Sequence, residues 1–465
     1  MSGGVQVTDG IRRSGQDPRL KRHLNSTRLR RWMAPAWLLL VAIALVGLHV
    51  HTYTKVGPID ELQHIDYLYK SPAIVAIGDR VGQDAMRQEA CRGIDAPFVP
   101  PPCSSTTHYD PNSFQVRGYN TAAINTPLYY TLTKAVAVPL ESIGGIDDLV
   151  TAGRLVGGLW LGLGLVLAYA AGRRLAIARL PLTATLTALA CSSTILYRAA
   201  TITPDAMDVA VGAGVFLTFL YWEHAPTRRW PLLVLVSTIV LLIKMTNVIV
   251  LFAMGIYMMI RIVRALYTRL KARPGEDSRS NQAIAPWLLG GIVLSVTTAL
   301  ELGTTLWIQN SLSHDASLIP MNAQYTVKAF PLQHFIQQFG VFLNPPTVPA
   351  THAVGSPLIQ TLVDRTISTF FLAGIVGAGL FGAANAKARP YAQALLLTLV
   401  IGAPMFVAVS YLSQSMYVPP PVRYANTLLP AVAVITAGLV KTRGAQWVVA
   451  LGSAGLLAAT VLRLL

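Results

Sequence analysis

The sequence predicts an all-α protein that crosses a membrane many times, and three observations carry this reading. Of its 465 residues, 53% are hydrophobic and only 12% are charged, about half the charged share of a soluble domain. Uncharged runs long enough to cross a hydrocarbon core of about 30 Å as helices recur along the chain from Trp32 onward. Lys and Arg gather in every second connection between those runs, the asymmetry expected of a multi-pass topology.

Residues 1–32 read as a basic cytoplasmic tail. The cluster from Arg12 to Arg31 precedes the first apolar run, and no A-x-A-like cleavage site follows closely, so the run is expected to be a retained anchor. Residues 33–465 read as a single transmembrane domain. Candidate spans are 33–51, 150–172, 180–197, 205–222, 230–244, 246–262, 286–308, 366–385, 391–411, 424–440 and 446–462, about eleven in all. The inner connections carry Arg173, Arg174 and Arg179; Arg228 and Arg229; Arg261, Arg264, Arg269, Lys271 and Arg273; Lys387 and Arg389; and Lys441 and Arg443. Within 230–260, the single Lys244 interrupts a stretch that is short for two spans. One span there would put the basic segment 261–273 outside, so parity favours a hairpin of two short helices with Lys244 at its outer tip. The net charge of +16 is thus spent on topology, and nucleic acid is not the expected partner.

Two outward loops are long, about 52–149 and 309–365, and offer the water and polar groups that chemistry needs. A third, about 412–423, is short and Pro-rich. In the first loop, Ile59, Leu62, Ile65 and Tyr69 recur at helical spacing, which predicts an amphipathic helix over Pro58–Tyr69 lying in the membrane interface. Its other face carries Asp60, His64 and Tyr67. A second partly apolar stretch, TPLYYTLTKAVAVPL from Thr126, is broken by Lys134 and Pro139 and reads as a re-entrant or surface helix. Cys91 and Cys103 flank a Pro-rich stretch in the same loop. In an oxidising compartment they can close a ring worth ~3 kcal/mol; otherwise they are two unpaired thiols. Cys191, inside an apolar run, reads as a packing residue.

The densest polar group beside a span is PIDELQHIDYLY. On a helix, Asp60 and His64 stand at i and i+4 and Glu61 and His64 at i and i+3, so two carboxylates and an imidazole can converge. Such a group can supply a general base or a weak metal site, or can simply be a solvated polar face. On the same side, Arg198 follows the third span, Lys244 tips the hairpin and Arg423 opens the tenth span. Cations there suit an anionic lipid head group such as a phosphate, although each alone can snorkel to the interface. Asp205 and Asp208, in TPDAMD, can bind sugar hydroxyls or pair with Arg198. Glu301, deep in the seventh span, must face the bundle interior or lie near its boundary.

Several short patches in order give the chain a resemblance. An Asp-Glu pair opens the first outward loop, NTPLYY follows at Asn125–Tyr130, TPDA starts a later span, a short hairpin carries Lys244, and Arg423-Tyr424 closes the last outward loop. Together these resemble the GT-C superfamily of membrane glycosyltransferases, and most closely an uncharacterised bacterial multi-pass family with P-x-D-E-x-x-H after its first helix, here PIDELQH. The resemblance spans most of the chain in architecture and only short patches in sequence. Where a glycine would precede the Arg-Tyr, the chain has Val422.

The resemblance implies an active site on the extracytoplasmic face of a bacterial plasma membrane, with Asp60 as catalytic base and Glu61 beside it. It implies a polyprenyl-phosphate sugar as donor, its phosphate held by Arg423 with Lys244 or Arg198. His64, Tyr129, Asp205 and Tyr424 would line the site, and the acceptor would be an envelope glycan, lipid or protein. Some relatives use a divalent cation such as Mg or Mn; Glu61 and His64 are the residues that could hold one here. The leaving phosphate needs no general acid, so one carboxylate suffices, and attack opposite it inverts the anomeric centre. The competing reading is a transporter or flippase of a lipid-linked envelope precursor, which would more often show repeated halves and ionisable groups near the midplane. A third is an inactive partner subunit in envelope assembly.

Overall fold

The computed structural model describes residues 18–95, 97–271, 284–343, 354–382 and 388–465. Residues 1–17 of the basic tail, Arg273 and Lys387 lie outside them, as does 344–353 of the second long loop. Among the described residues the regular structure is helical, with β pairing limited to isolated bridges such as Thr326–Met416.

Helix α1 is Pro18–Thr52 and contains the apolar run Trp32–Thr52. The first long loop holds three helices: α2 (Glu61–Lys70), α3 (Gln83–Arg92) and α4 (Leu128–Gly144). Then come α5 (Leu149–Arg174), α6 (Arg179–Cys191), α7 (Ser193–Ala199), α8 (Asp208–Trp222), α9 (Pro231–Ile243), α10 (Val248–Lys271) and α11 (Ala285–Leu312). The second long loop contributes α12 (Pro320–Tyr325) and α13 (Leu332–Gln337). The chain continues through α14 (Pro357–Gly379), α15 (Arg389–Gln414), α16 (Leu429–Ala437) and α17 (Arg443–Leu464).

Local chemistry sets many of these boundaries. Proline stands in the first turn of α9, α11, α14, α15 and α16, where its missing N–H costs nothing and its fixed φ suits the helix. Asp148 caps α5 by accepting from the Val150 and Thr151 amides, and Thr442 caps α17 through Ala445.

Eight helical stretches are long and apolar enough to cross a membrane, or nine if the bent pair α6–α7, which turns by 68° at Ser192, is one span. The two shorter apolar helices are Pro231–Ile243 and Val422–Ala437. Each of the eleven expected segments therefore meets an apolar helix, and three of these are short or bent. The eighth expected span, 366–385, is corrected to Pro357–Gly379. Its first turns carry Asp364, which is buried and accepts hydrogen bonds from the backbone N–H (2.9 Å) and hydroxyl of Ser193. A satisfied carboxylate is no barrier to helix or burial. The hairpin is as expected in outline: α9 and α10 meet at Lys244, whose extended backbone (φ −164°) ends one helix before the next begins.

Helix α5 sits at the centre, packed between α1, α4 and α8, while α10, α11, α14, α15, α16 and α17 complete the bundle. At one end of the bundle Arg174 stacks on Tyr221, Arg261 pairs with Glu223 at 3.6 Å, and Arg264 bonds Gln393 at 2.5 Å. The connections that follow α1, α7, α9, α11 and α15 meet at the other end, around one cavity.

The amphipathic helix expected over Pro58–Tyr69 is present as α2, but its polar side is covered by protein. Helix α2 is covered by α3, α4 and the 3-10 turn Thr121–Ile124, and every residue from Glu61 to Leu68 is buried. The sequence-distant segments that cover it bury its polar side chains Gln63, His64 and Asp66.

Candidate functional site

The cavity encloses about 750 Å³, within the size range of sites for small ligands. Seven of the expected site residues line it: Asp60, His64, Arg198, Asp205, Lys244, Arg423 and Tyr424. They come from five separate stretches of chain, brought together by the end of the bundle.

Asp205 is the hub of the charged wall. Thr203 caps the turn Pro204–Met207 with its hydroxyl and so aims the Asp205 carboxylate, whose side chain is 4% exposed, at three cations. Lys244 donates directly to its Oδ1. Arg423 Nε lies 3.4 Å and Arg198 Nε 3.8 Å from its Oδ2. The seat of Arg423 depends on a close approach: a Cβ on Gly212 would lie 1.8 Å from the Thr427 carbonyl oxygen, so only glycine lets α8 touch the Val422–Leu428 segment. Lys244 and Arg423 also stand over the Tyr424 ring, at 4.9 and 5.8 Å, where cation–π attraction adds to their placement. Among the lining residues three cations face two carboxylates, Asp205 and Asp60, which leaves one positive charge on the wall.

Asp60 occupies the N-cap of α2, yet its side chain makes no capping bond. An N-cap aspartate ordinarily accepts from the first turn of its helix. Here the backbone is left-handed (φ 60°, ψ 6°) and the carboxylate, 40% exposed, faces Arg423 at 3.7 Å. Backbone strain of this kind collects at functional sites.

Glu61, the neighbouring acid that the resemblance placed beside the base, lies outside the cavity lining. Both oxygens are filled: Arg154 donates through Nε (2.9 Å) and Nη2 (2.7 Å), and the Gly57 and Ile202 amides donate at 2.5 and 3.0 Å. Burial pushes the carboxyl up, but Arg154 and these hydrogen bonds outweigh it and hold the acid below its ordinary value. The pair is 1–2% exposed and absent from the cavity wall. It ties the loop before α2 to α5 and to the segment before Asp205. With its lone pairs used, Glu61 does not fit a metal with His64, and among the described residues no group of three His, Cys, Asp or Glu side chains converges as a metal site.

Tyr129, expected in the site, is buried, does not line the cavity, and accepts the Thr203 amide at 3.2 Å. Tyr130 is the more telling member of NTPLYY, with its hydroxyl 2.6 Å from His64 Nδ1. Burial holds the His64 imidazole down at about 4, so it is neutral near pH 7. Cys91 and Cys103 form a disulfide that closes the loop beyond α3. Glu301 accepts from Thr238 at 2.8 Å, away from the cavity. Asp208 lies behind the cavity wall, buried.

Two groups escape the sequence reading. Arg154 is a lone charge in the apolar run of α5, and an ionisable group in such a place signals a buried partner. The pairing of Tyr130 with His64 leaves no such signal, because it joins residues 66 positions apart. No protein-family model matches the chain, and no curated protein matches it in sequence.

Proposed function

We propose that this protein is an inverting glycosyltransferase that moves a sugar from a polyprenyl-phosphate donor to an acceptor hydroxyl at the extracytoplasmic face of a bacterial plasma membrane. The observation that carries the reading is the meeting of Arg198, Lys244 and Arg423 with the uncapped carboxylate of Asp60 in one cavity at the end of an apolar helical bundle. In this reading the bent α6–α7 pair and the two short helices also cross, giving eleven passes with the basic tail inside.

The surplus positive charge suits a single lipid phosphodiester. Its negative charge grows as the glycosidic bond breaks, and preorganised cations stabilise that growth without rearranging. The lipid phosphate leaves as a stable anion and needs no proton. The acceptor hydroxyl loses its proton to Asp60 as its oxygen bonds the anomeric carbon from the opposite face, which inverts that centre. Arg423 reaches both carboxylates of the cavity, 3.7 Å from Asp60 and 3.4 Å from Asp205, so in this reading it can contact the phosphate beside the base.

The test is to incubate the purified protein in liposomes with radiolabelled polyprenyl-phosphate sugars and glycan, lipid or peptide acceptors. Transfer that Asp60→Asn abolishes supports the reading. Movement of the lipid between leaflets with no transfer would replace it with a flippase.

A further inference from the structure

The transfer scheme leaves His64 unused, although it lines the cavity. Its Nδ1 is 2.6 Å from the Tyr130 hydroxyl. Tyr67 stacks on Tyr130 with ring centres 4.1 Å apart and donates to the Asn125 backbone carbonyl at 3.1 Å, while the Asn125 side-chain amide donates to the Ala122 carbonyl. Burial raises the Tyr130 hydroxyl well above its ordinary value, so it keeps its proton. A phenol has one proton to give. Tyr130 is fully buried and, among the described residues, its hydroxyl hydrogen-bonds no group but His64 Nδ1, so that proton goes to Nδ1.

The consequence is a defined tautomer. A neutral imidazole that accepts at Nδ1 carries its own proton on Nε2. Among the described residues nothing receives that Nε2–H. The charged groups that line the cavity with the ring and act on it are Asp60, Asp205, Lys244 and Arg423. In the transfer reading these are the base and the phosphate holders, and the migrating sugar is the group that must bridge them.

We propose that His64 is a specificity-determining residue: through the Tyr130–His64 relay it presents a neutral Nε2–H donor to a hydroxyl oxygen of the transferred sugar. This rests on the glycosyltransferase reading for the identity of the ligand, but the relay itself does not. A cation there would duplicate Lys244 and Arg423 and favour phosphate; a neutral donor distinguishes a hydroxyl-bearing sugar from a bare phosphate.

The experiment uses the full chain in lipid nanodiscs. Nitrogen NMR of ¹⁵N-histidine-labelled protein, with His64 identified by difference from His64→Gln, should show its proton on Nε2 at pH 7. In Tyr130→Phe, which keeps the ring and its stack, the tautomers should mix. Binding is then measured with decaprenyl phosphate and with decaprenyl phosphates carrying mannose, glucose or arabinose. The wild type should prefer at least one sugar-bearing lipid over the bare phosphate by about tenfold, the worth of one hydrogen bond. His64→Ala should lose that preference with bare-phosphate binding unchanged, Tyr130→Phe should reduce it, and His64→Gln, whose amide N–H reaches the Nε2 position, should keep it. A proton on Nδ1 in the wild type, an unchanged tautomer in Tyr130→Phe, or an equal loss for all lipids in His64→Ala would overturn the inference. If no lipid binds the wild type, the glycosyltransferase reading falls and takes the sugar contact with it, while the NMR result still decides the relay.

Discussion

Replacing Asp60 with glycine should stabilise the fold while abolishing transfer, whereas replacing its neighbour Glu61 with alanine should destabilise it heavily. Asp60 is held at φ 60°, and a left-handed backbone costs a non-glycine residue ~1–2 kcal/mol. Glycine removes that strain but returns ~0.5–1 kcal/mol through the greater freedom of the unfolded chain. No capping bond is lost, because none exists. The 3.7 Å contact with Arg423 involves a 40% exposed carboxylate, so solvent screening limits its loss to a few tenths. The balance is a gain of ~0.5 kcal/mol. Glu61→Ala instead leaves Arg154, 1% exposed, without its counter-ion and costs ~3–5 kcal/mol. The two substitutions are one residue apart and should differ by ~4–5 kcal/mol. Unfolding in mixed micelles, followed by tryptophan fluorescence, measures both. Marked destabilisation by Asp60→Gly, or a neutral Glu61→Ala, would show that the division of labour within the acidic pair is wrong.

Asp205→Asn removes the shared counter-ion of three cations and should lower stability by ~3–5 kcal/mol; thermal unfolding should then become strongly dependent on added inorganic phosphate, unlike the wild type. Arg423→Ala should weaken decaprenyl phosphate binding by about 10- to 100-fold, read by titration in nanodiscs. His64 titrates about 4 in the fold against 6.5 when free. Its contribution is therefore complete above pH 6.5 and is lost as pH falls towards 4, a span worth ~3 kcal/mol at most. His64→Gln should flatten that part of the stability–pH curve. Separating Cys91 from Cys103, 12 residues apart, as a double serine variant should cost the first loop ~3 kcal/mol, visible as faster hydrogen exchange in α3.

Much of the site was legible because its residues break local rules. Lys244 and Arg423 are cations beside apolar runs, and Asp205 is an acid at a helix mouth; each is costly unless something compensates it, so each advertises a function from sequence alone. Spacing misled for α2. The helical spacing of Ile59, Leu62 and Ile65 implied a wet face carrying His64 and Tyr67, but His64 pairs with the Tyr130 hydroxyl and Tyr67 donates to the Asn125 carbonyl, partners that pattern reading has no means to supply. The expected eighth span likewise began nine residues late, because nothing local signals the buried contact of Asp364 with Ser193.

Hydropathy and charge placement determined that this chain is a helical bundle with its basic connections at one end, since each is a sum over a window of neighbouring residues. Which acid of the Asp60–Glu61 pair is sealed and which is presented was decided only in three dimensions. Their side chains are chemically near-equivalent and adjacent, and the difference is made by Arg154, 93 residues away, whose guanidinium can satisfy one carboxylate and leaves the other facing the cavity.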